Sequence, residues 1–217
     1  MSGVVHLLTG LRIERVVTRG TFSLDGETCE VENNVWLVGD NREVLVIDAA
    51  HDAGPVATAV AGRTVTAIVC THAHNDHIDA APALADLTGA PVLVHVSDER
   101  LWHETHADRP PDGYLTDRGR LTVAGTELTV LRTPGHTWGS VCLYAPEAAA
   151  VFTGGTLFAD GPGATHHVHS HRPTILRSIR DQLFTLPAGT TVHAGHGDDT
   201  TIGTQAPHLQ DWILGRK

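Results

Sequence analysis

The stretch "THAHNDHID", residues 71–79, places three histidines and two aspartates in nine positions, directly after the β-branched run "VTAIVCT" at 65–71. Such a run reads as a strand, so the polar cluster stands where a strand passes into a loop. His72 and His74, two apart in extended chain, point to the same side, and Asp76 and His77 follow on the turn. Imidazole nitrogens with one carboxylate are the donors a borderline ion such as zinc prefers. The chain holds 16 histidines, an excess that fits the same reading.

Three further strand ends carry similar residues: Asp48 after "VLVI", His136 in "TPGHT" and His196 in "AGHGD". They can converge if those ends share one edge of the structure, where sites are commonly built. Strand patterns lie at 11–19, 34–40, 43–49, 65–71, 91–96, 121–132, 140–145, 149–153 and 190–195. Helical patterns lie at 78–90, which stops at Gly89, at 173–186, which opens on Pro173, and at 207–214. Residues 97–119, with Pro110-Pro111 and Asp112-Gly113, read as a short helix and a surface loop. Strands and helices mix within each half, without linker or repeat, which implies an α/β layered structure in one domain, residues 1–217. Cys70 is expected to pack in the interior, and so are Trp138 and Tyr114, with contact to substrate as their alternative role.

In order, "VIDAAHD", "THAHNDH", "TPGHTWGS", "VFTGGTLF" and "HAGHGD" span nearly the whole chain. This sequence of motifs resembles the metallo-β-lactamase superfamily. The resemblance implies an αββα sandwich, two mixed β-sheets flanked by helices, with a metal centre at one edge between the sheets. It implies that His72, His74 and His136 hold one metal, and that Asp76, His77 and His196 hold a second. Asp48 would brace the histidine loop through hydrogen bonds. Relatives with a two-metal centre typically read "GDTLF", with the aspartate bridging both ions, where this chain has Gly155. Without that carboxylate the ions repel with less compensation, so one tight Zn²⁺ and a weaker second are expected, with iron or manganese still open. A β-lactamase subclass of the superfamily works with the same two donor sets and no bridging aspartate.

The expected chemistry is hydrolysis by a zinc-bound hydroxide, with Asp76 orienting the nucleophile. "GPGAT" and "HAGHGDDTTIG" look like small glyoxalase II-type hydrolases, which cleave thioesters of a low-molecular-weight thiol. The chain stops soon after "HGDD", so it is expected to lack the long helical tail with which glyoxalase II holds glutathione, which argues against glutathione as the thiol. Arginine outnumbers lysine almost completely, a bias that suggests a high-GC actinobacterial genome, in which the thiol would be mycothiol. The alternatives are a β-lactam or lactone hydrolase, or a degenerate or engineered member that binds a ligand or partner without turnover. "ATHHVHSHRP", 164–173, should line the mouth, either as a solvated loop or with His167, His169 or His171 as proton donor or replacement ligand.

A net charge of −10 argues against nucleic acid, which needs a basic face. No apolar run is long enough to span a membrane. Three scattered cysteines without CxxC, and no secretory signal pattern, suggest the cytoplasm. The expected partner is a small acyl substrate, and the sequence leaves the oligomeric state open.

Overall fold

The computed structural model describes residues 4–6, 10–24 and 26–216. Much of the N-terminal segment and Lys217 therefore lie outside the described residues. The burial pattern of the central strands explains the architecture. Along 35–38 every side chain is buried, but Val35 and Leu37 join one apolar cluster while Trp36 and Val38 join another. Val44 and Val46 alternate with Leu45 and Ile47 in the same way. A strand apolar on both faces must be covered on both.

The first sheet runs in spatial order β1 (Val4–His6), β2 (Arg12–Leu24), β3 (Glu27–Gly39), β4 (Glu43–Ile47), β5 (Thr64–Val69), β6 (Val92–His95) and β7 (Gly113–Leu115). Its first four strands pair antiparallel, and β4 to β7 pair parallel. The second sheet contains β8 (Arg120–Val123), β9 (Thr126–Arg132), β10 (Val141–Ala145) and β11 (Ala150–Gly154). A small hairpin of β12 (Leu157–Phe158) and β13 (Gly161–Pro162) follows, before β14 (Thr191–Ala194) and β15 (Thr200–Thr201) complete that sheet. Only β11 and β14 pair parallel in it, so both sheets are mixed.

Helices α1 (Ala53–Val60), α3 (Ala81–Thr88) and α4 (Glu99–Thr105) cover the outer face of the first sheet through Val56, Leu84 and Trp102. Short α2 (Asn75–Ile78) precedes α3. Across the molecule, α5 (Arg172–Ser178) and its wider continuation through Leu183 cover the second sheet with Ile175, Ile179 and Leu183. α6 (Ile202–Gln205) and α7 (Leu209–Ile213) follow, and α7 adds Trp212 to that cluster. Between the sheets lie Trp36, Leu45, Ile47, Leu128, Leu143 and Phe152. The layers are α, β, β, α, as the motif order implies.

Several expectations need correction. The strands expected at 11–19 and 34–40 are parts of one long hairpin, 12–24 against 27–39. The expected helix at 78–90 is α3 at Ala81–Thr88, which stops at Gly89 with φ +72° as expected, and Ile78 belongs instead to the separate α2. The loop expected before 119 contains β7. The single strand expected at 121–132 turns at Ala124 and Gly125, both at positive φ, a pairing that suits a tight hairpin. Tyr114 and Trp138 are not interior residues. Both are over 40% exposed, Tyr114 donating its hydroxyl to Glu99 and Trp138 stacking on the His171 ring. Cys70 is buried as expected, and none of the three cysteines is bonded to another. No helix among the described residues is long and apolar enough to cross a membrane.

The two sheets are tied directly at one edge. From β3, the Trp36 indole and the Asn34 amide both donate to the Ala194 carbonyl at the end of β14, at 3.0 Å each. From the other direction, Val141 N donates to Thr71 O at 2.8 Å. Between these ties the loops after β5, β9 and β14 meet. Leu143 lies in the inter-sheet layer and is fully buried. Replacing it with Ala is expected to lower the unfolding free energy by about 2–5 kcal/mol, read from urea denaturation.

Candidate metal centre

At the end of β4 the chain enters the left-handed region at Asp48, φ +56°, a conformation that persists in a non-glycine residue only when its surroundings fix it. Three hydrogen bonds fix this one. Asp48 Oδ1 accepts from Thr71 N at 2.7 Å, and Oδ2 accepts from Thr71 Oγ1 at 2.8 Å and His77 Nδ1 at 3.0 Å. The carboxylate joins the end of β4 to the loop after β5 and aims His77.

The imidazoles share a design. His77 donates Nδ1–H to Asp48, His136 donates its own to Ala164 O at 2.9 Å, and His196 to Glu32 O at 2.7 Å. Thr71 Oγ1 spends its proton on Asp48, so it accepts from His72 Nδ1 at 3.1 Å. Those partners occupy Nδ1 of each ring and leave Nε2 as the atom available to an ion.

The rings of His72, His74 and His136 form a triangle with centroids 4.7–4.8 Å apart. One donor atom from each lies within 4.8 Å of the other two. Nε2 of His72 and Nε2 of His74 are buried with no hydrogen-bond partner. Two ring nitrogens withdrawn from water without a partner are costly unless something pairs with them.

The second set is tighter. His77 Nε2, His196 Nε2 and Asp76 Oδ2 are 3.1, 3.3 and 3.5 Å apart. Tetrahedral coordination with bonds of about 2.0–2.1 Å puts neighbouring donors about 3.3 Å apart. These three atoms already have that spacing, so the residues present fit a divalent ion.

Asp98, unremarked in the sequence, knits the two histidine loops together. Its buried carboxylate accepts from Ala73 N at 3.0 Å, Thr137 Oγ1 at 2.6 Å and Gly139 N at 2.6 Å. Burial raises its pKa above the usual carboxylate value, against those hydrogen bonds. Asn33, also unremarked, donates Nδ2–H to Asp76 Oδ2 at 3.0 Å. Neither residue belongs to a short motif. Each is a lone polar side chain whose importance appears only through its partners.

Gly155 stands against the His136 ring. A Cβ at residue 155 would lie 2.3 Å from His136 Cδ2 and 2.4 Å from Nε2. Restoring any side chain there therefore requires His136 to swing away. The histidine-rich segment divides. His167 lines the cavity above the donors, its ring 6.1 Å from that of His74, whereas His169 and His171 are not part of the lining. His171 instead bonds the Thr174 hydroxyl at 2.7 Å. The cavity, about 590 Å³, is walled by Phe22, Val31, Phe158 and Ala159, with Asp160 and Asp198 also on it and no Lys or Arg among its described lining residues.

The sequence pattern of the metallo-beta-lactamase superfamily matches residues 30–196. The chain belongs to that superfamily. It is 29% identical to a probable metallo-hydrolase of Bacillus subtilis, YqgX, over 85% of this chain and 95% of that one. It is 36% identical to a hydroxyacylglutathione hydrolase of Jannaschia sp., over 77% of this chain but 63% of the relative's length. Among solved structures, the B3 metallo-beta-lactamase BLEG-1 superposes with a TM-score of 0.76 at 29% identity, covering 88% of this chain and 98% of that one. TTHA1623, solved in a di-iron-bound form, gives 0.71 at 30% identity over 81% and 93%.

The site sets the pH response of the metal-free protein. Burial, then the neighbouring imidazoles, holds His72 and His74 well below the ordinary histidine value. Burial likewise lowers His136 to about 4. The unfolded chain binds these protons below about pH 6.5 and the folded chain does not, so acid destabilises. His77 behaves oppositely. Burial lowers it, but Asp76 and Asp48 outweigh that and raise it to about 9. Its stabilisation is complete below about pH 6.5 and is lost as pH rises through its folded value. Chelated protein is expected to show its highest urea midpoint near about pH 6.5–7, falling on both sides. Separately, Gly155→Ala is expected to displace His136 and weaken the first bound metal equivalent by about 10–100-fold, measured by competition with a chelating dye.

Proposed function

We propose that this chain is a metal-dependent hydrolase acting on thioesters of a small thiol that carries no carboxylate. The observation that carries the reading is the pair of converging donor sets at the floor of an apolar cavity. His72, His74 and His136 would hold one ion, and Asp76, His77 and His196 a second. Such ions supply Lewis acidity and bring the pKa of bound water to about 7. Zinc suits the donors, and the di-iron form of TTHA1623 keeps iron open for this chain.

The protein's own residues do the rest. Asp76 uses Oδ2 toward Asn33, His77 and His196, which leaves Oδ1 to accept a proton from the attacking water. Asp48, Ala164 O and Glu32 O keep His77, His136 and His196 aimed with Nε2 forward. Phe22, Val31 and Phe158 shield the reacting carbon from bulk water. His167, beside His74 at the cavity wall, would protonate the departing sulfur.

Likeness to hydroxyacylglutathione hydrolases supports thioesters as the class. The absence of Lys and Arg from the described cavity wall, with Asp160 and Asp198 on it, disfavours a carboxylate-bearing partner such as glutathione. An uncharged carrier such as mycothiol suits that wall better. A lactamase reading has its own support in the likeness to BLEG-1.

One panel separates the readings. Zinc-loaded protein is assayed on an uncharged N-acetylcysteamine thioester, on S-lactoylglutathione and on nitrocefin. The uncharged thioester is expected to give the highest kcat/KM, by about tenfold or more over the glutathione ester, which corresponds to ~1.4 kcal/mol of discrimination. Preference for nitrocefin would favour the lactamase, and turnover of none would favour a binding role.

A further inference from the structure

Behind Asp76, away from the cavity, lies a chain of polar groups that the chemistry above does not use. Asn33, on β3, is completely buried. Its Nδ2–H goes to Asp76 Oδ2 at 3.0 Å, and its Oδ1 lies 2.8 Å from His51 Nε2. A carboxylate only accepts, so the amide must turn its nitrogen to Asp76 and its oxygen to His51. His51 must then donate from Nε2. Its other nitrogen, Nδ1, lies 3.3 Å from Asp79 Oδ2, and its backbone N–H donates to Asp79 Oδ1 at 2.5 Å.

Two features indicate that the rest of the fold accommodates this arrangement. His51 sits at φ +61°, in the left-handed region, with its side chain only 3% exposed. Gly20 on β2 faces its ring, and a Cβ there would lie 2.3 Å from His51 Nδ1. Three separate elements (β3, the loop after β4 and the end of α2) therefore meet to hold one amide.

We propose that Asp79, His51 and Asn33 form a hydrogen-bonded bracket that fixes the Asp76 carboxylate for the Asp76–His77–His196 set, making Asn33 and His51 positioning residues of that centre. This rests on the metal-binding reading above. Asp76 Oδ2 enters two of the three contacts of the second set, so its placement decides whether the 3.3 and 3.5 Å spacings to His196 and His77 are kept. Removing the His51 donor leaves Asn33 Oδ1 buried and unsatisfied, and the amide is then free to swing from Asp76. His72, His74 and His136 have no contact with the bracket, so the first set serves as an internal control.

The experiment uses the full chain in two states. In the chelated protein, ¹H–¹⁵N spectra follow the side-chain amide of Asn33, assigned by its loss in Asn33→Ser. In the other state, cobalt(II) is titrated in and read by its visible absorbance. In His51→Leu the Asn33 amide signals are expected to shift and exchange faster with solvent. The second cobalt equivalent should bind about 10–100-fold more weakly while the first is unchanged. His51→Gln, which places an amide N–H near the position of Nε2, should restore both readouts. A general packing role for His51 would not be rescued by glutamine and would weaken both equivalents together.

Should His51→Leu fail to fold, seen as loss of the first equivalent, Gly20→Ala carries the test. It displaces the ring without removing a polar group and should reproduce the same two changes. Unmoved Asn33 signals in a folded variant, or an undiminished second equivalent, would overturn the bracket. A wild type that takes only one cobalt refutes the two-ion reading instead, and the amide signals still decide the bracket.

Discussion

Three hydrogen bonds to the Asp48 carboxylate hold the end of β4 against the loop after β5, and the site is assembled on that junction. A carboxylate 1% exposed is tolerable only when its oxygens are used, and here both are. One partner, Thr71, passes the constraint to His72. Another, His77, passes it to the Asp76–His196 pair. Asp98 does for the loop after β9 what Asp48 does for the loop after β5. These two buried acids turn flexible connections into fixed supports for the imidazoles.

The interior strands were legible because their apolar runs have both faces buried: 34–40, 43–49 and 65–71 all lie in the first sheet. The outer half of the β2–β3 hairpin was not, since its residues Thr28, Cys29 and Glu30 are exposed and carry no apolar alternation. β7 escaped notice behind two prolines because its three residues rely on parallel pairing with β6, a long-range contact with no local signature. Tyr114 and Trp138 illustrate a different limit. Aromatic side chains usually suggest a core, yet both find surface partners in Glu99 and His171. That the residues of "THAHNDH", "TPGHT" and "AGHGD" converge could be read from sequence because metal-type residues cluster there at strand ends. Asn33, His51 and Asp98 could not, because a solitary polar residue reveals its role only through partners far along the chain.

Gly155 changes meaning once its surroundings are seen. From the motif it is a missing carboxylate. In the structure it is also the space into which the His136 ring fits, with Nδ1 bonded to Ala164 and Nε2 facing the other two rings. Loss of the acid and placement of the imidazole are thus one local arrangement. A chain of this type would not regain a bridging ligand by a single replacement without the ring finding another position.

The donors also come from opposite halves of the sandwich. His72, His74, Asp76 and His77 follow β5 of one sheet, while His136 and His196 follow β9 and β14 of the other. An ion gripped by either set is therefore a rivet through both layers. The hold on the cation and the cohesion of the two sheets become a single thermodynamic quantity, so a substitution that loosens the seam far from the pocket also loosens the cargo within it.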